Sequence, residues 1–148
     1  MKFQLRSATV TDLDSIMAID SASFKRPWAR SSFATALADV RRSVVLVMEV
    51  GGEVRAYGVA WNIGEEGEIA TLAVDVTERG RGLGCALVQA LIHQLWEGGA
   101  RHVFLEVRPS NMGAVRLYER LNFTEVGRRP NYYFDGESAI IMKLQLDD

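Results

Sequence analysis

One stretch constrains the fold more than any other: Glu68 to Trp96, EIATLAVDVTERGRGLGCALVQALIHQLW. An apolar run, Ile69 to Val74, gives way to a polar, glycine-spaced turn, Asp75 to Gly84. Leu83, Leu87, Leu91 and Leu95 then recur at helical spacing, and Ala86 and Ala90 fill the same stripe. The pattern predicts a buried strand, a glycine loop and an amphipathic helix, in that order. The first turn of such a helix has backbone N–H groups with no intrahelical partner, and the helix dipole adds positive potential there. Gly80, Gly82 and Gly84 carry no Cβ, so an anion can approach the backbone closely. Arg79 and Arg81 add positive charge. The junction is a candidate site for a diphosphate-bearing ligand.

Two familiar phosphate motifs are excluded. Counting G-x-G-x-x-G from Gly82 puts Leu87 at the third glycine, and counting from Gly80 puts Cys85 there. No Gly-Lys-Ser/Thr of a P-loop occurs. What stands here is Arg79-x-x-Gly82-x-Gly84 after a strand ending Leu72-Ala73-Val74. This resembles the acyl-CoA pyrophosphate motif of the GNAT acetyltransferase superfamily. The resemblance implies acetyl-CoA as cosubstrate. Its contacts would be Leu72, Ala73 and Val74 on the strand, and Arg79, Gly80, Arg81, Gly82, Leu83, Gly84 and Cys85 in the turn. The ordinary alternative is a glycine-rich turn with no ligand.

Composition narrows the class. A chain of 148 residues, 48% hydrophobic and 24% charged, suits one soluble globular domain. A net charge of −2 offers no basic field for nucleic acid or an anionic membrane. No apolar run approaches a transmembrane length, and MKFQLRSATVTDLD lacks the apolar core of a signal peptide. Cys85 is the only cysteine, so no internal disulfide can form. These features favour the cytoplasm. His93 and His102 show no metal-ligand spacing, and no metal is expected.

The remaining elements read in order. Phe3 to Arg6 is a short strand. Thr11 with Asp14 reads as a capping box opening a helix with Leu13, Ile16 and Met17 inward, ending near Phe24. Pro27-Trp28 breaks it. Ser31 or Ser32 opens a second helix with Phe33, Ala36, Leu37 and Val40 inward. Val44 to Met48 and Val54 to Asn62 are strands joined by a Gly51-Gly52 turn. A further turn, Gly64 to Gly67, leads to the Ile69–Val74 strand, and these strands form an antiparallel meander. Arg101 to Val107 is the next strand, parallel to Ile69–Val74 by a right-handed crossover. Asn111 or Ser110 caps a short helix, Met112 to Leu121, and Asn122 takes the left-handed position after it. Phe123 to Arg128 and Ala139 to Leu146 close the chain as antiparallel strands.

The order β-α-α-β-β-β-α-β-α-β-β is that of a GNAT domain, an α/β fold on a mixed sheet, here spanning residues 1–148. Several strings carry a closer likeness: Phe24-x-x-Pro27-Trp28, Leu105-Glu106-Val107-Arg108-x-Ser110-Asn111, Leu117-Tyr118-Glu119, Phe123-x-x-Val126-Gly127-x-Arg129, Asn131-Tyr132-Tyr133 and Ala139-Ile140-Ile141-Met142. Together they resemble the RimI-like ribosomal-protein N-terminal alanine acetyltransferases. The chain departs from that pattern at Asn122, Pro130 and Ser138, the last two near the acceptor side.

The resemblance implies roles. Acetyl transfer needs a neutral amine, and a free amine is largely protonated at neutral pH. Glu106, near the C-terminal end of its strand, would be the general base through water. A strand-end carboxylate paired with Arg108 or another cation is the ordinary alternative. Glu68 is the rival base. Tyr118 would protonate the leaving thiolate, or else be a half-buried helix tyrosine. Asn111 and Tyr118 would contact CoA. Pro27, Trp28, Tyr132 and Tyr133, with Glu106, would wall the acceptor groove. Cys85 reads as a small apolar residue at a helix start. The expected activity is acetyl-CoA-dependent N-acetylation by direct attack in a ternary complex. The expected acceptor is the N-terminal α-amine of a protein or peptide, ribosomal proteins included, and the expected state a monomer or weak homodimer. Two alternatives stay open: a lysine or small-amine transferase, and a non-catalytic acyl-CoA-binding module.

Overall fold

The computed structural model describes residues 2–146. The elements are β1 (Gln4–Ser7), α1 (Leu13–Ser23), α2 (Arg30–Ala38), β2 (Ser43–Val50), β3 (Glu53–Ile63) and β4 (Glu66–Val74). They continue as α3 (Leu83–Glu97), β5 (His102–Val107), α4 (Met112–Arg120), β6 (Thr124–Arg129) and β7 (Ala139–Gln145). The order is the one expected from the sequence. The strands make one seven-stranded sheet, β1-β2-β3-β4-β5-β7-β6. Every neighbouring pair is antiparallel except β4 and β5, which the α3 crossover makes parallel.

Helices cover both faces of the sheet. The Leu83-Leu87-Leu91-Leu95 stripe of α3 is buried against one face, with Ile69, Val103, Leu105 and Met142. Two strand glycines let α3 lie close. A Cβ at Gly58 would stand 2.8 Å from Leu91 Cδ1, and one at Gly67 would stand 3.0 Å from Leu95 Cδ1. On the other face α1 and α2 bury Leu13, Ile16, Ile19 and Phe33 against Val47, Tyr57 and Val59. Alternation along each strand supplies the two faces from one sheet.

The turns form where backbone freedom demands it. Gly51 and Gly52 have φ of +61° and +80°, the left-handed pair a two-residue hairpin requires. Asn122 follows α4 at φ 75°, as its position after a helix predicts.

Several details differ from the sequence reading, among them the start of α2, where Ala29 and neither Ser31 nor Ser32 is the N-cap. The start of the first helix lies earlier: Asp12, not Asp14, closes it, accepting the Thr9 N–H at 2.8 Å. Asp12 is drawn inward by Arg6 at 2.8 and 2.9 Å, whereas Asp14 pairs outside with Arg30 at 2.7 Å. Val40 is 82% exposed, because α2 ends at Ala38 and the chain turns through Asp39. Glu68 stands inside β4 rather than before it, since only Gly64 and Glu65 make the turn.

The feature that positions the site is a defect in the sheet. On β3, Val59 pairs with Thr71 and Ala60 with Ile69, so Ala70 is bulged out. From there β4 leaves β5. Their pairing runs only from Glu66–His102 to Ile69–Leu105, while β4 continues to Val74 and β5 to Val107. A wedge opens between two parallel strands. Among the described residues no strand pairs with the Ala70–Val74 edge on that side. Its backbone N–H and C=O groups face the gap.

Candidate active site

The wedge leads to the start of α3. Gly82 is the N-cap of that helix at φ 84°, and no side chain caps it. The first-turn N–H groups therefore lack a capping side chain. A Cβ at Gly84 would sit 3.5 Å from Leu117 Cδ2 and 3.8 Å from Val74 Cγ2. The end of β4, the start of α3 and the side of α4 thus converge at one point. This arrangement fits an extended ligand whose chain adds along the β4 edge and whose diphosphate meets the helix. Arg79 is bonded within its own surroundings. Its Nε donates to Val74 O at 2.9 Å and its Nη2 to Ser23 Oγ at 3.2 Å, so it braces the turn. Arg81 pairs with Glu78 at 3.3 Å. Asn111 accepts the Ala114 N–H at 3.2 Å as the α4 cap, which leaves its amide nitrogen free of that duty. Cys85 is half-buried on α3.

On the opposite face from α3, side chains of both parallel strands point into a cleft of about 310 Å³. Glu68, Phe104, Glu106 and Arg129 line it. The parity is fixed by the neighbours, since Gly67, Ile69, Leu105 and Val107 all face α3. Glu106 is the first β5 residue past the last β4 pairing, so it stands at the mouth of the wedge. Tyr132 donates its hydroxyl to Glu106 Oε1 at 3.1 Å. Arg129 Nε lies 2.6 Å from Glu106 Oε2 as an ion pair. That oxygen is buried, and among the described residues no donor is aimed at it in hydrogen-bonding geometry. Glu68 feels the same cluster. Burial, then the charge of Glu106, raise its pKa above the ordinary carboxylate range, and Arg129 partly offsets them.

Tyr118 lies under α4, 7% exposed, its ring edge-on to Phe123 at 5.7 Å between centroids. Burial, then the nearby Tyr133, push its hydroxyl up to about 12. The neutral, proton-carrying form is therefore the one present at neutral pH.

The α1–α2 loop and the loop between β6 and β7 meet over this cleft. Lys25 reaches Asp135 at 3.4 Å, and Arg26 lies over the Phe134 ring at 4.5 Å. Trp28 is half-buried between Phe33, at 5.1 Å, and Trp61, stacked at 5.9 Å. Trp61 pairs in register with Glu68, so Trp28 walls the cleft through Trp61. Tyr132 and Tyr133 sit edge to face at 5.1 Å on the other side.

The sequence model of the acetyltransferase (GNAT) family matches residues 13–123. The chain belongs to this family. As a GNAT enzyme it is an acetyl-CoA-dependent N-acetyltransferase. The putative ribosomal protein bS18-alanine N-acetyltransferase of Bacillus subtilis is 32% identical over 148 residues, covering 99% of this chain and 98% of that protein. The Escherichia coli ribosomal protein bS18-alanine N-acetyltransferase is 34% identical, covering 96% and 97%. A crystal structure of the E. coli ribosomal-protein-S18-alanine N-acetyltransferase superposes with a TM-score of 0.90 at 33% identity, over 99% of this chain and 96% of that one. Ard1 from Thermoplasma volcanium superposes at 0.93, with 27% identity and complete coverage of both chains at 100%. Among the described residues no helix is long and apolar enough to cross a membrane.

Most residues singled out from the sequence of this GNAT chain gather at the wedge: Leu72, Val74 and the Gly80–Gly84 turn on one side, Glu68, Glu106 and Tyr132 on the other. Pro27 and Trp28 belong to the opposing loop wall. Four contributors were not found from the sequence: the Ala70 bulge, Trp61, Arg129 and the Arg108–Asp135–Glu137 cluster. Arg129 and Arg108 lie in the strings that carry the resemblance, but an isolated arginine gives no hint of which carboxylate it will meet.

Proposed function

We propose that residues 1–148 act as one GNAT domain that acetylates the N-terminal α-amine of a protein, of the ribosomal-protein alanine type. The observation that carries the reading is the pair of carboxylates, Glu68 and Glu106, on one face beside the β4–β5 wedge. A cationic amine is drawn to the two carboxylates, whose charge Arg129 only partly offsets. Glu106 Oε2 is buried and carries no hydrogen bond among the described residues, so its accepting capacity is not used up within the protein. The full-length likeness to alanine N-acetyltransferases supports the α-amine as acceptor. An α-amine has a pKa near ~8 and a lysine near ~10.4, so a carboxylate base meets more of the former already neutral.

Acetyl-CoA supplies an acyl group activated as a thioester. This chain's groups do the rest. The β4 edge and the α3 first turn hold the cosubstrate. Glu106 receives the amine proton, and Tyr118 keeps a proton available to a departing thiolate. Glu68 adds negative charge and is the second candidate base.

The test is thiol release from acetyl-CoA with two peptide sets. One set has free N-termini beginning with alanine. The other is N-terminally blocked and carries an internal lysine. Turnover of the first set is expected. Turnover confined to the second would replace this reading with a lysine transferase, and acetyl-CoA binding without turnover on either would indicate a binding module.

Two further outcomes follow from the same assignment. Gly84→Asp helps the helix, because an acidic residue in the first turn opposes the dipole favourably. It also places a carboxylate beside the diphosphate. Acetyl-CoA affinity should fall roughly 10- to 100-fold by calorimetry, with thermal stability retained. For Tyr118→Phe, the burial that pushes the hydroxyl up to about 12 fixes the shape of the effect. The hydroxyl does not titrate across the assay range, so kcat should drop by one constant factor at every pH tested below about 11. A wild-type rate in Tyr118→Phe would remove the acid role.

A further inference from the structure

Arg108 follows β5 directly, two residues beyond Glu106, and it gathers an unusual set of partners. Its Nη1 donates to Asp135 Oδ1 at 2.9 Å, to Asp135 Oδ2 at 2.8 Å and to Glu137 Oε1 at 2.9 Å. Its guanidinium carbon lies over the Tyr133 ring, 4.0 Å from the centroid. Glu137 in turn accepts the Ser110 N–H at 2.8 Å and the Ser110 hydroxyl at 2.9 Å. Asp135 also meets Lys25 of the α1–α2 loop at 3.4 Å. Three chain segments, carrying Lys25, Arg108 with Ser110, and the 130–138 loop, therefore meet at the Asp135 and Glu137 carboxylates.

The segment between β6 and β7 has no ladder to hold it. Its backbone is fixed by a short turn, Tyr133 N–H to Glu137 O at 3.0 Å and Gly136 N–H to Tyr133 O at 2.9 Å. Yet this segment carries Tyr132, which bonds Glu106, and Tyr133, which lies against both Tyr132 and the electrostatic surroundings of Tyr118. Ordering such a loop opposes a conformational entropy cost for each residue. The side chains of Arg108, Asp135 and Glu137 are 24%, 27% and 25% exposed, so their hold on the loop comes from several partly solvated bonds acting as one network rather than from burial.

We propose that Arg108 is a positioning residue for the acceptor, clasping the 130–138 loop to the strand that carries Glu106. It touches no reacting atom in this account. It sets where Tyr132 and Tyr133 stand, and through them the floor on which the acceptor's first residues rest. The task suits arginine rather than lysine, because one planar group must pair with two carboxylates and stack on a ring together. The Asp135 bonds to Arg108 hold its pKa at about 2, and the bonds from Ser110 lower that of Glu137, so both carboxylates are ionised throughout the working range. The inference rests on the acceptor side assigned under the proposed function.

Arg108→Ala, Arg108→Lys and Asp135→Asn are compared with the wild type by peptide kinetics, acetyl-CoA calorimetry and thermal melting. In Arg108→Ala the acceptor kcat/KM should fall roughly 10²-fold, the scale of an approximately 1 Å misplacement, while acetyl-CoA Kd stays within about twofold. Arg108→Lys keeps the charge without the stack and should recover only part of the loss. Asp135→Asn lies at a loop tip, folds independently of the Arg108 result, and should change kcat/KM in the same direction by less. An unchanged kcat/KM in both Arg108→Ala and Asp135→Asn overturns the proposal. So does a loss of acetyl-CoA affinity as large as the loss of acceptor efficiency, which would mark Arg108 as a general structural support. The ratio of variant to wild type is taken on whichever amine the wild type accepts. The amine chosen thus tests the α-amine reading, and the ratio tests the clasp.

Discussion

Glu106→Gln is expected to lower kcat by roughly 10²–10⁴-fold, the range for losing a positioned general base. The substitution keeps the shape of the side chain and its ability to accept the Tyr132 hydroxyl. It removes the proton-accepting carboxylate and the ion pair with Arg129. Acetyl-CoA affinity should barely change, because the residue faces the cleft opposite α3. The neighbouring Glu68 supplies an internal control. Its raised pKa comes first from burial and then from the Glu106 charge. With that charge gone, Glu68 should ionise at lower pH than in the wild type. Activity that needs an ionised carboxylate is lost as pH falls through its pKa. Any residual activity of Glu106→Gln that depends on Glu68 should therefore persist to lower pH. Glu68→Gln alone should be mild. If Glu68→Gln is the crippling change and Glu106→Gln the mild one, the base belongs to β4.

Asp20→Ala should produce the largest loss of stability. Asp20 is 1% exposed and accepts two buried donors, the Tyr57 hydroxyl and the Trp28 N–H at 2.8 Å. Tyr57 is fully buried, and its hydroxyl also lies 3.4 Å from Thr71 beside the bulge. Burial, then the bond to Asp20, raise the Tyr57 pKa far above the ordinary value. Removing the acceptor leaves two donors unsatisfied at about 1–3 kcal/mol each, so roughly 2–6 kcal/mol is expected by urea titration. That is a large share of the ~5–15 kcal/mol a domain has. Asp20→Asn keeps one acceptor oxygen and should cost less. A change below about 1 kcal/mol in Asp20→Ala would mean that water replaces the carboxylate and that the Trp28 loop is held by its ring contacts alone.

The fold was legible because its signals are local. The leucine stripe of α3, the Gly51-Gly52 hairpin and Asn122 after α4 each depend on residues a few positions apart. The glycine turn before α3 was legible for the same reason, since glycine spacing and a helix start lie in one stretch. What was not legible depends on distant pairing. Nothing in Ile69-Ala70-Thr71 announces a bulge, because the bulge is a mismatch of register with β3. The depth of the acidic cleft likewise arises only when β4 and β5 run parallel and place Glu68 and Glu106 on one face. The contacts of Arg79 were hidden for the same reason. Its position in the motif suggested a free charge, whereas its side chain is committed to Val74 and Ser23. Asp12 displaced Asp14 from the helix start because Arg6, on the neighbouring strand, draws it inward.

The central claim is that this chain moves an acetyl group to an α-amine. One measurement tests it most directly. A peptide with a free N-terminal alanine and a single internal lysine is incubated with the protein and acetyl-CoA, and tandem mass spectrometry locates the added acetyl group. The account predicts acetyl on the N-terminal residue with the lysine unmodified, and none on either amine with the Glu106→Gln protein over the same time. Acetyl found predominantly on the lysine would contradict it.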